Sequence, residues 1–595
     1  MISIRCARPH RLWEPMVKDL AAAYRAGSRV VLLVPEQYTL QAERDLLRDL
    51  SLPGFFRIDI LSPSRLEYRV FNAFGSDGRA RIDERGKAVA LTRALQREKD
   101  RLQFYAGAQE RPGFIKRMGQ LLSTLKLLQI QPQDLLRAAG EAETAGENKP
   151  LWHKLRDTAM ILEGYEELLA GRFADREDIA LDMRARLAHG RMFEGTEVFV
   201  YGFDLLTEAF SQVLYIIAAQ AKSLHISMVS DKAQAEDGDA FSGARQSVFH
   251  LMEGLKERHL EYQFQWYEAP HPRLPDDLAH LEKNLLSLNE MHYRDTPAHI
   301  RLYAGPTPYR EVQRVAQLIM QEARRGVALD DMMLLCGSLP VYRGLIESTC
   351  QSYGIPCYVA DKLTLSAHRV PRYLLAALRC AADGYRQEDV TEMIKSGLSP
   401  LTREEGWEIE NYALRYGIRQ RKWLVSFTRG QEEERVKAEA LRLKLIKPVE
   451  SLHRALARSV SAAESLAAVR AFLEESGVPR RAEALEKELD RAGLQKELIQ
   501  LRQVFDQLDE MFEQMAALMG DERIPLKHFP LWLENGLSER ELAALPPSAG
   551  HVQAGQLGNL LPHRPRVVFV LGLNDGILAA PEDGLLTQEE TKEAE

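Results

Sequence analysis

The run RVVLLVP at 29–35 constrains the fold more than any other stretch of the chain. Between Arg29 and Pro35 it is valine and leucine throughout, with no polar alternation, as a strand covered on both faces requires. A short apolar start, MISIRCA, and a helical stretch precede it. Strand, helix, strand is the order of a first βαβ unit in a nucleotide-binding α/β domain. Such a unit usually holds phosphate in a glycine-rich turn after its first strand. Here that turn reads RCARPHRLW, with no glycine and no Lys-Ser or Lys-Thr pair. A phosphate loop works through successive backbone N–H groups and a helix N-terminus, completed by a lysine and a hydroxyl. Pro9 removes one such donor. Arg5, Arg8 and Arg11 are left to hold an anion as side chains or to lie in water. The expectation is that this core does not hydrolyse ATP.

Further strand and helix patterns follow. QYTLQAERDLLRDL (37–50) reads as a helix, and FFRIDILSPSRLEYRVF (55–71) as a strand, a turn and a helix start. Residues 82–190 look almost wholly helical, with apolar residues at three- and four-residue spacing. TEVFVYGFD and SLHISMVSDK restore strands, and 231–296 is polar and weakly patterned. A second α/β block opens at AHIRLYAGPTPYREV (298 onward) and continues to VAD at 361. Helices return over 370–545. HVQAGQLGNLLPHRP (551–565) reads as a loop-borne motif, and RVVFVLGLNDGILAA (566–580) as another buried strand.

At 595 residues, roughly 150 residues per domain gives about four domains. A net charge of −8 does not advertise nucleic acid, but one basic groove can sit in an acidic whole. Residues 1–80 hold 12 Lys or Arg against 9 Asp or Glu, so this end is locally positive. No stretch is long and apolar enough to cross a membrane, and the N-terminus does not read as a signal peptide. Five cysteines suggest a reducing cytoplasm.

Five stretches occur in one order along nearly the whole chain: VLLVPEQYTLQAERDLL, ILSPSRLEYRVF, VYGFDLLTEAF, DDMMLLCGSLPVYRGLIESTCQSYGIPCYVAD and VVFVLGLNDGILAA. On them the sequence resembles the B subunit (AddB/RexB type) of the AddAB-type ATP-dependent helicase–nuclease. The resemblance implies an α/β fold with two RecA-like parallel-sheet cores of superfamily 1 helicase type, each with a large helical insertion. The first core would be 1–80 with 190–297, its insertion 81–189. The second would be 298–369 with 546–595, incomplete at its C-terminus, and its insertion 370–545. Full-length members carry an iron–sulfur cluster and Mg²⁺ in a nuclease domain that this chain lacks, so no cofactor is expected here. The partners implied are single- and double-stranded DNA ends and an active helicase–nuclease A subunit, in a heterodimer.

An active helicase core ends its central strand with an Asp-Glu pair that holds Mg²⁺. Here that strand ends FVYGFDLL, the pair is absent, and Asp204 reads as a helix N-cap.

The resemblance places DNA contacts at strand ends. Gln37 and Thr39 in PEQYT suit bases or phosphate, or cap the next helix. Arg65 and Tyr68 in SPSRLEY lie three apart, on one helix face. An arginine for phosphate or guanine and an aromatic for stacking make a single-strand reader. The family often has an aromatic where this chain has Pro63. Phe203 is a further candidate, or core. Gln553, Gln556 and Asn559 carry amides suited to bases, and Asn574-Asp575-Gly576 reads as a turn. Arg310 and Glu311 are remnants of an ATP-cleft pair or plain helix surface. NYALRYGIRQRKWLVSFTRGQ (411–431) has five basic and no acidic residues, with aromatics interleaved. It is a candidate DNA-binding helix carrying Arg419, Arg421, Lys422 and Trp423, or a helix with its aromatics inward.

No Asp…Glu-x-Lys cluster suits a nuclease, and DERGK (83–87) stands isolated. Cys336, Cys350, Cys357 and Cys380 are too widely spaced for a cluster site and read as buried thiols. His551 and His563 lack partners for zinc. The reading is a catalytically silent helicase-like subunit that binds single-stranded DNA in double-strand-break repair and scans for a recombination hotspot. The alternatives are an active DNA-dependent ATPase with a cryptic site, and a protein scaffold without DNA contact. LLTQEETKEAE reads as a helix cut short.

Overall fold

The fold is taken from a computed structural model. It describes residues 1–54, 56–108, 113–144, 149–232, 241–267, 274–285, 291–359, 364–538, 542, 550–557 and 565–574. It is mixed α/β, with parallel sheets and many helices. The described residues gather into two units. One holds Met1–Arg79 and Glu177–Arg314; the other holds Ala80–Arg176, Val315–Gly558 and the strand that follows. No helix among the described residues is long and apolar enough to cross a membrane.

In the first unit, β1 (Ile2–Ala7), α1 (Trp13–Arg25), β2 (Arg29–Leu33), α2 (Thr39–Leu50), β3 (Ile58–Leu61) and α3 (Pro63–Phe74) follow in order. A two-residue pair in the second unit comes next, β4 (Ala80–Arg81) with β5 (Phe173–Ala174). The chain then returns for β6 (Thr196–Tyr201), β7 (Ser223–Val229) and β8 (Tyr262–Trp266). The six long strands form one parallel sheet ordered β3-β2-β6-β7-β1-β8. The unbroken apolar run of β2 is explained by its two covers. Val30, Leu32 and Val34 pack with Met16 and Leu20 of α1 and Leu46 of α2. Val31 and Leu33 pack on the other face with Leu66 and Val70 of α3. β8 lies at the sheet edge, within the stretch that sequence pattern left unassigned. Its residues alternate half-buried and exposed, because only one side of an edge strand meets the core.

Two local expectations are corrected. Asp204 does not cap a helix. The helix Glu208–Gln220 starts at Thr207, whose hydroxyl accepts from the Phe210 amide at 3.3 Å, and Asp204 is exposed in the preceding loop. The stretch 298–305 forms no strand: Leu302 is 94% exposed, and regular structure resumes only with the helix Pro308–Arg324. A β-type pattern without a hydrogen-bonding neighbour stays extended and solvated.

The second unit contains a four-stranded parallel sheet of β9 (Met332–Cys336), β10 (Cys357–Val359), β11 (Val552–Gln556) and β12 (Val567–Leu571), ordered β10-β11-β9-β12. VQAGQ, read as part of a loop, is therefore a strand between β10 and β9. Its single valine and its glycine hide the pattern, and pairing on both sides supplies the order. β12, read as buried, is an edge strand with Val568 45% and Val570 38% exposed.

The helices of 80–176 and those after 369 share one hydrophobic core. α4 (Glu84–Glu98) packs on the helices Gln495–Met519 and Phe529–Ser538. The approach is close at Gly536, where an added Cβ would stand 2.0 Å from the Met511 methyl. DERGK starts α4, as its helix-forming residues suggest. Asp83 caps α4, and Arg85 is buried and ion-paired to Asp83 and Glu510 at 2.5 and 2.7 Å.

The stretch 411–431 is not one helix. The helix Arg403–Tyr416, started by a Thr402–Glu405 capping box, ends at Gly417 with φ 63°. A 3₁₀ turn, Gln420–Leu424, follows, and the helix Glu432–Arg458 begins beyond it. Gly417 is the stop signal, because its left-handed conformation suits glycine and ends the α-helix.

Candidate nucleic-acid interface

The turn after β1 occupies the place of a phosphate loop. Arg8 donates to Asp231 through Nε at 2.8 Å and Nη2 at 2.6 Å. Arg11 forks onto Glu282, both bonds 2.9 Å, with its side chain only 9% exposed. Arg5 pairs with Asp19 at 2.5 Å. Three carboxylates thus hold the three arginines. The forked pairs are the strong kind, so an anion entering here would first have to displace them.

The carboxyl ends of β3, β2 and β6 lie side by side, with Leu33 in register with both Leu61 and Val200. Three loops leave from these ends. After β2, Glu36 sets its carboxylate on the first turn of α3, accepting from the Ser64 amide at 2.6 Å and the Ser64 hydroxyl at 2.8 Å. Burial opposes its charge, but hydrogen bonds from Ser62 and Ser64 and the charge of Arg65 outweigh this and hold its pKa below the ordinary carboxylate value. α3 starts where Ser62 accepts from the Arg65 amide and Pro63 takes the N1 position. After β6, Gly202 adopts φ 84°, and a Cβ there would meet Pro35 Cδ at 3.3 Å. The loops after β2 and β6 therefore touch, and only glycine fits comfortably. Trp13, Tyr38 and Tyr201 form an aromatic cluster below, with ring centroids 5.1–6.2 Å apart.

On this surface Tyr68 is 68% exposed, one helical turn from Arg65. Arg65 pairs with Glu43 at 3.1 Å with both groups in water, a contact worth only ~0.2–1 kcal/mol. Thr39 is buried, and its hydroxyl donates to the Glu36 carbonyl at 2.9 Å, so it serves the start of α2. The Gln37 side chain lies outside the described residues. Phe203 is half-buried against Phe210, centroids 4.8 Å apart. The structure brings together Arg65, Tyr68 and the backbone at Thr39 and Phe203. The Glu36–Ser64 clamp and Gly202 were not singled out by sequence; the serines of SPSRLEY and the Glu of PEQYT were its only signal.

In the second unit, Gln553 is buried within β11, and Gln556 is half-buried at its carboxyl end. Asn559, His563, Asp575 and Gly576 lie outside the described residues. Trp423 is fully buried against Phe427, while Arg419, Arg421 and Lys422 are exposed. The aromatics Tyr412, Trp423 and Phe427 serve the core, leaving the cations outside. Elsewhere, Arg310 bonds Gln313 on the surface at 2.6 Å. Cys6, Cys336, Cys350 and Cys380 are buried free thiols, and Cys357 is half-buried. Among the described residues no group of three ligand-type side chains converges on a metal position.

Residues 10–282 match the family model described as ADDB, N-terminal. The chain is 27% identical over 591 residues to the B subunit of the ATP-dependent helicase/deoxyribonuclease of Alkaliphilus metalliredigens, covering 95% of this chain and 51% of that one. It is 29% identical over 608 residues to the protein of that name from Moorella thermoacetica, covering 98% and 53%. The protein of that name from Acetivibrio thermocellus is 27% identical over 595 residues. These matches support an AddB-type subunit. The chain spans about half the length of these relatives. The clamp and the glycine contact fall within the matched region, as does the Arg11–Glu282 pair, while Arg5 and Arg8 precede it.

Proposed function

We propose that this chain is a non-catalytic, helicase-like part of an ATP-dependent helicase–exonuclease that processes double-strand DNA breaks for recombinational repair. In this reading its two parallel sheets are RecA-like cores, each interrupted by helices at the boundaries given above. One DNA strand runs over the carboxyl ends of β3, β2 and β6 and is scanned for a recombination hotspot. A partner protein supplies ATP hydrolysis, and this chain holds no cofactor. The name its relatives share, that of the B subunit of an ATP-dependent helicase/deoxyribonuclease, supports the complex and its substrate class.

One observation carries the silent role. The turn where a nucleotide's phosphates would sit is closed by Arg8–Asp231 and Arg11–Glu282, with no glycine to bring backbone amides close. The test is fluorescence anisotropy of a labelled single-stranded oligonucleotide, titrated with salt, with ATP turnover followed in the same samples. Salt-sensitive binding without turnover is expected. Turnover stimulated by DNA would overturn the silent role, and absence of binding at low salt would favour a protein scaffold.

A further inference from the structure

The turn at 419–422 differs from the arginines around the first sheet. Arg5, Arg8, Arg11 and Arg65 each hold a carboxylate. Among the described residues the side chains of Arg419 and Arg421 meet no carboxylate and no other hydrogen-bond partner, and both are exposed. Lys422 spends one of its three donors on the Gly417 carbonyl at 2.9 Å and keeps its charge in water. Residues 411–431 contribute no acidic side chain to offset them. Asp383, two residues before Tyr385, faces Arg386 at 3.7 Å, and Glu434 of the next helix faces Arg415 at 2.8 Å, which leaves the exposed Glu432 and Glu433 as the acidic side chains closest in sequence.

The turn is also held in place. Trp423, 0% exposed, anchors it in the helical core. The Trp423 carbonyl accepts from Nη1 of buried Arg442 at 2.8 Å. Arg442 in turn forks onto Glu439 at 2.9 and 2.6 Å. Glu439 also accepts from the Phe427 amide at 3.0 Å, which fixes the far side of the loop. On the near side, the Gln420 amide donates to the Tyr385 carbonyl at 2.9 Å. Gln420 adopts φ 51°, a left-handed conformation uncommon outside glycine and sustained only by surrounding structure. Three cations on a fixed backbone lose less conformational freedom on binding than cations on a mobile loop.

We propose that this anchored turn is a phosphate contact for a DNA backbone, independent of base sequence. Base stacking is excluded here, because the aromatics that would stack are in the core. Contacts from arginine and lysine to phosphate oxygens position a nucleic acid without specifying it. The inference rests on the DNA-binding reading above and adds a second, separate contact to it.

The test compares the 595-residue chain with two variants, Arg419→Ala/Arg421→Ala/Lys422→Ala and Arg65→Ala/Tyr68→Ala, using two unrelated oligonucleotides, single-stranded and duplex. The changed side chains of the triple variant are exposed, and an unchanged thermal midpoint will verify its fold. Loss of three phosphate contacts should lower the slope of log affinity against log salt by about 2–3, equally for both sequences. Arg419→Lys/Arg421→Lys should keep the slope. If the parent chain binds and the triple variant binds with the same slope, the turn is not a DNA contact, and only this inference fails. If the slope falls for one sequence alone, the sequence-independent role is wrong. If the parent chain binds no DNA at low salt, the underlying reading fails together with the inference.

Discussion

Glu36, at the carboxyl end of β2, places both carboxylate oxygens on Ser64, in the first turn of the helix that follows β3. The carboxylate sits where a helix N-terminus would otherwise present its amides to an incoming phosphate. Glu36→Gln removes that charge and keeps the shape. The expected result is a loss of ~1 kcal/mol in stability, read as a lower denaturant midpoint, together with tighter oligonucleotide binding. Weaker binding would mean that Glu36 orders the DNA surface rather than competing for it.

Gly202→Ala is expected to destabilise the first unit by ~1–3 kcal/mol, because a side chain at positive φ is strained and its Cβ would press on Pro35. Gly202→Asn should cost less, since Asn tolerates the left-handed region better. Urea denaturation of the two variants checks the order; equal loss would point to contact with Pro35 rather than backbone strain.

Tyr68→Ala should weaken single-stranded DNA binding by ~1–3 kcal/mol, or 5- to 150-fold, if its exposed ring stacks on a base. Arg65→Ala should cost less and make binding less salt-sensitive. Anisotropy at two salt concentrations separates the two effects, and a Tyr68→Ala variant with parental affinity would remove the stacking role.

His368 caps the helix Arg369–Asp383 as a neutral acceptor, its Nδ1 3.4 Å from the Val370 amide. Burial, with the charge of Arg369, pushes its pKa down from 6.5 to about 4. The unfolded chain therefore binds the proton first. This group's stability is fully present above pH 6.5 and is lost progressively towards pH 4, by up to about 3 kcal/mol. His368→Asn keeps a capping oxygen and cannot titrate. Thermal midpoints measured from pH 7.5 to 4.5 should fall more steeply for the parent than for the variant; parallel curves would show that other groups govern the acid limb.

The elements that were plain in the sequence were those whose pattern is set locally. β2 declares itself because two layers of helices cover it, and α3 because Ser62, Pro63 and the spacing of Leu66 and Val70 agree. β11 did not, because VQAGQ becomes a strand only when β9 and β10 flank it. β12 misled in the opposite direction, its apolar run being set at an open edge. At the candidate site, the shared, exposed helix face of Arg65 and Tyr68 was readable from their spacing. The carboxylates that close on Arg8 and Arg11 were not, since Asp231 and Glu282 lie more than two hundred residues away along the chain. Trp423 was ambiguous between surface and core until Gly417 was seen to end the helix before it.

The ion pair between Arg85 and Glu510 joins residues 425 positions apart. A ribosome adding roughly 5–20 residues per second needs about 20–85 s to deliver the second partner after the first. For that interval α4 has the helices Phe114–Leu127 and Lys149–Leu169 against it, while the helices Gln495–Met519 and Phe529–Ser538, which close over Val89, have yet to be made. The part of its apolar face that those late helices cover stays open for that long, and keeping it from other chains falls to its early neighbours or to a chaperone.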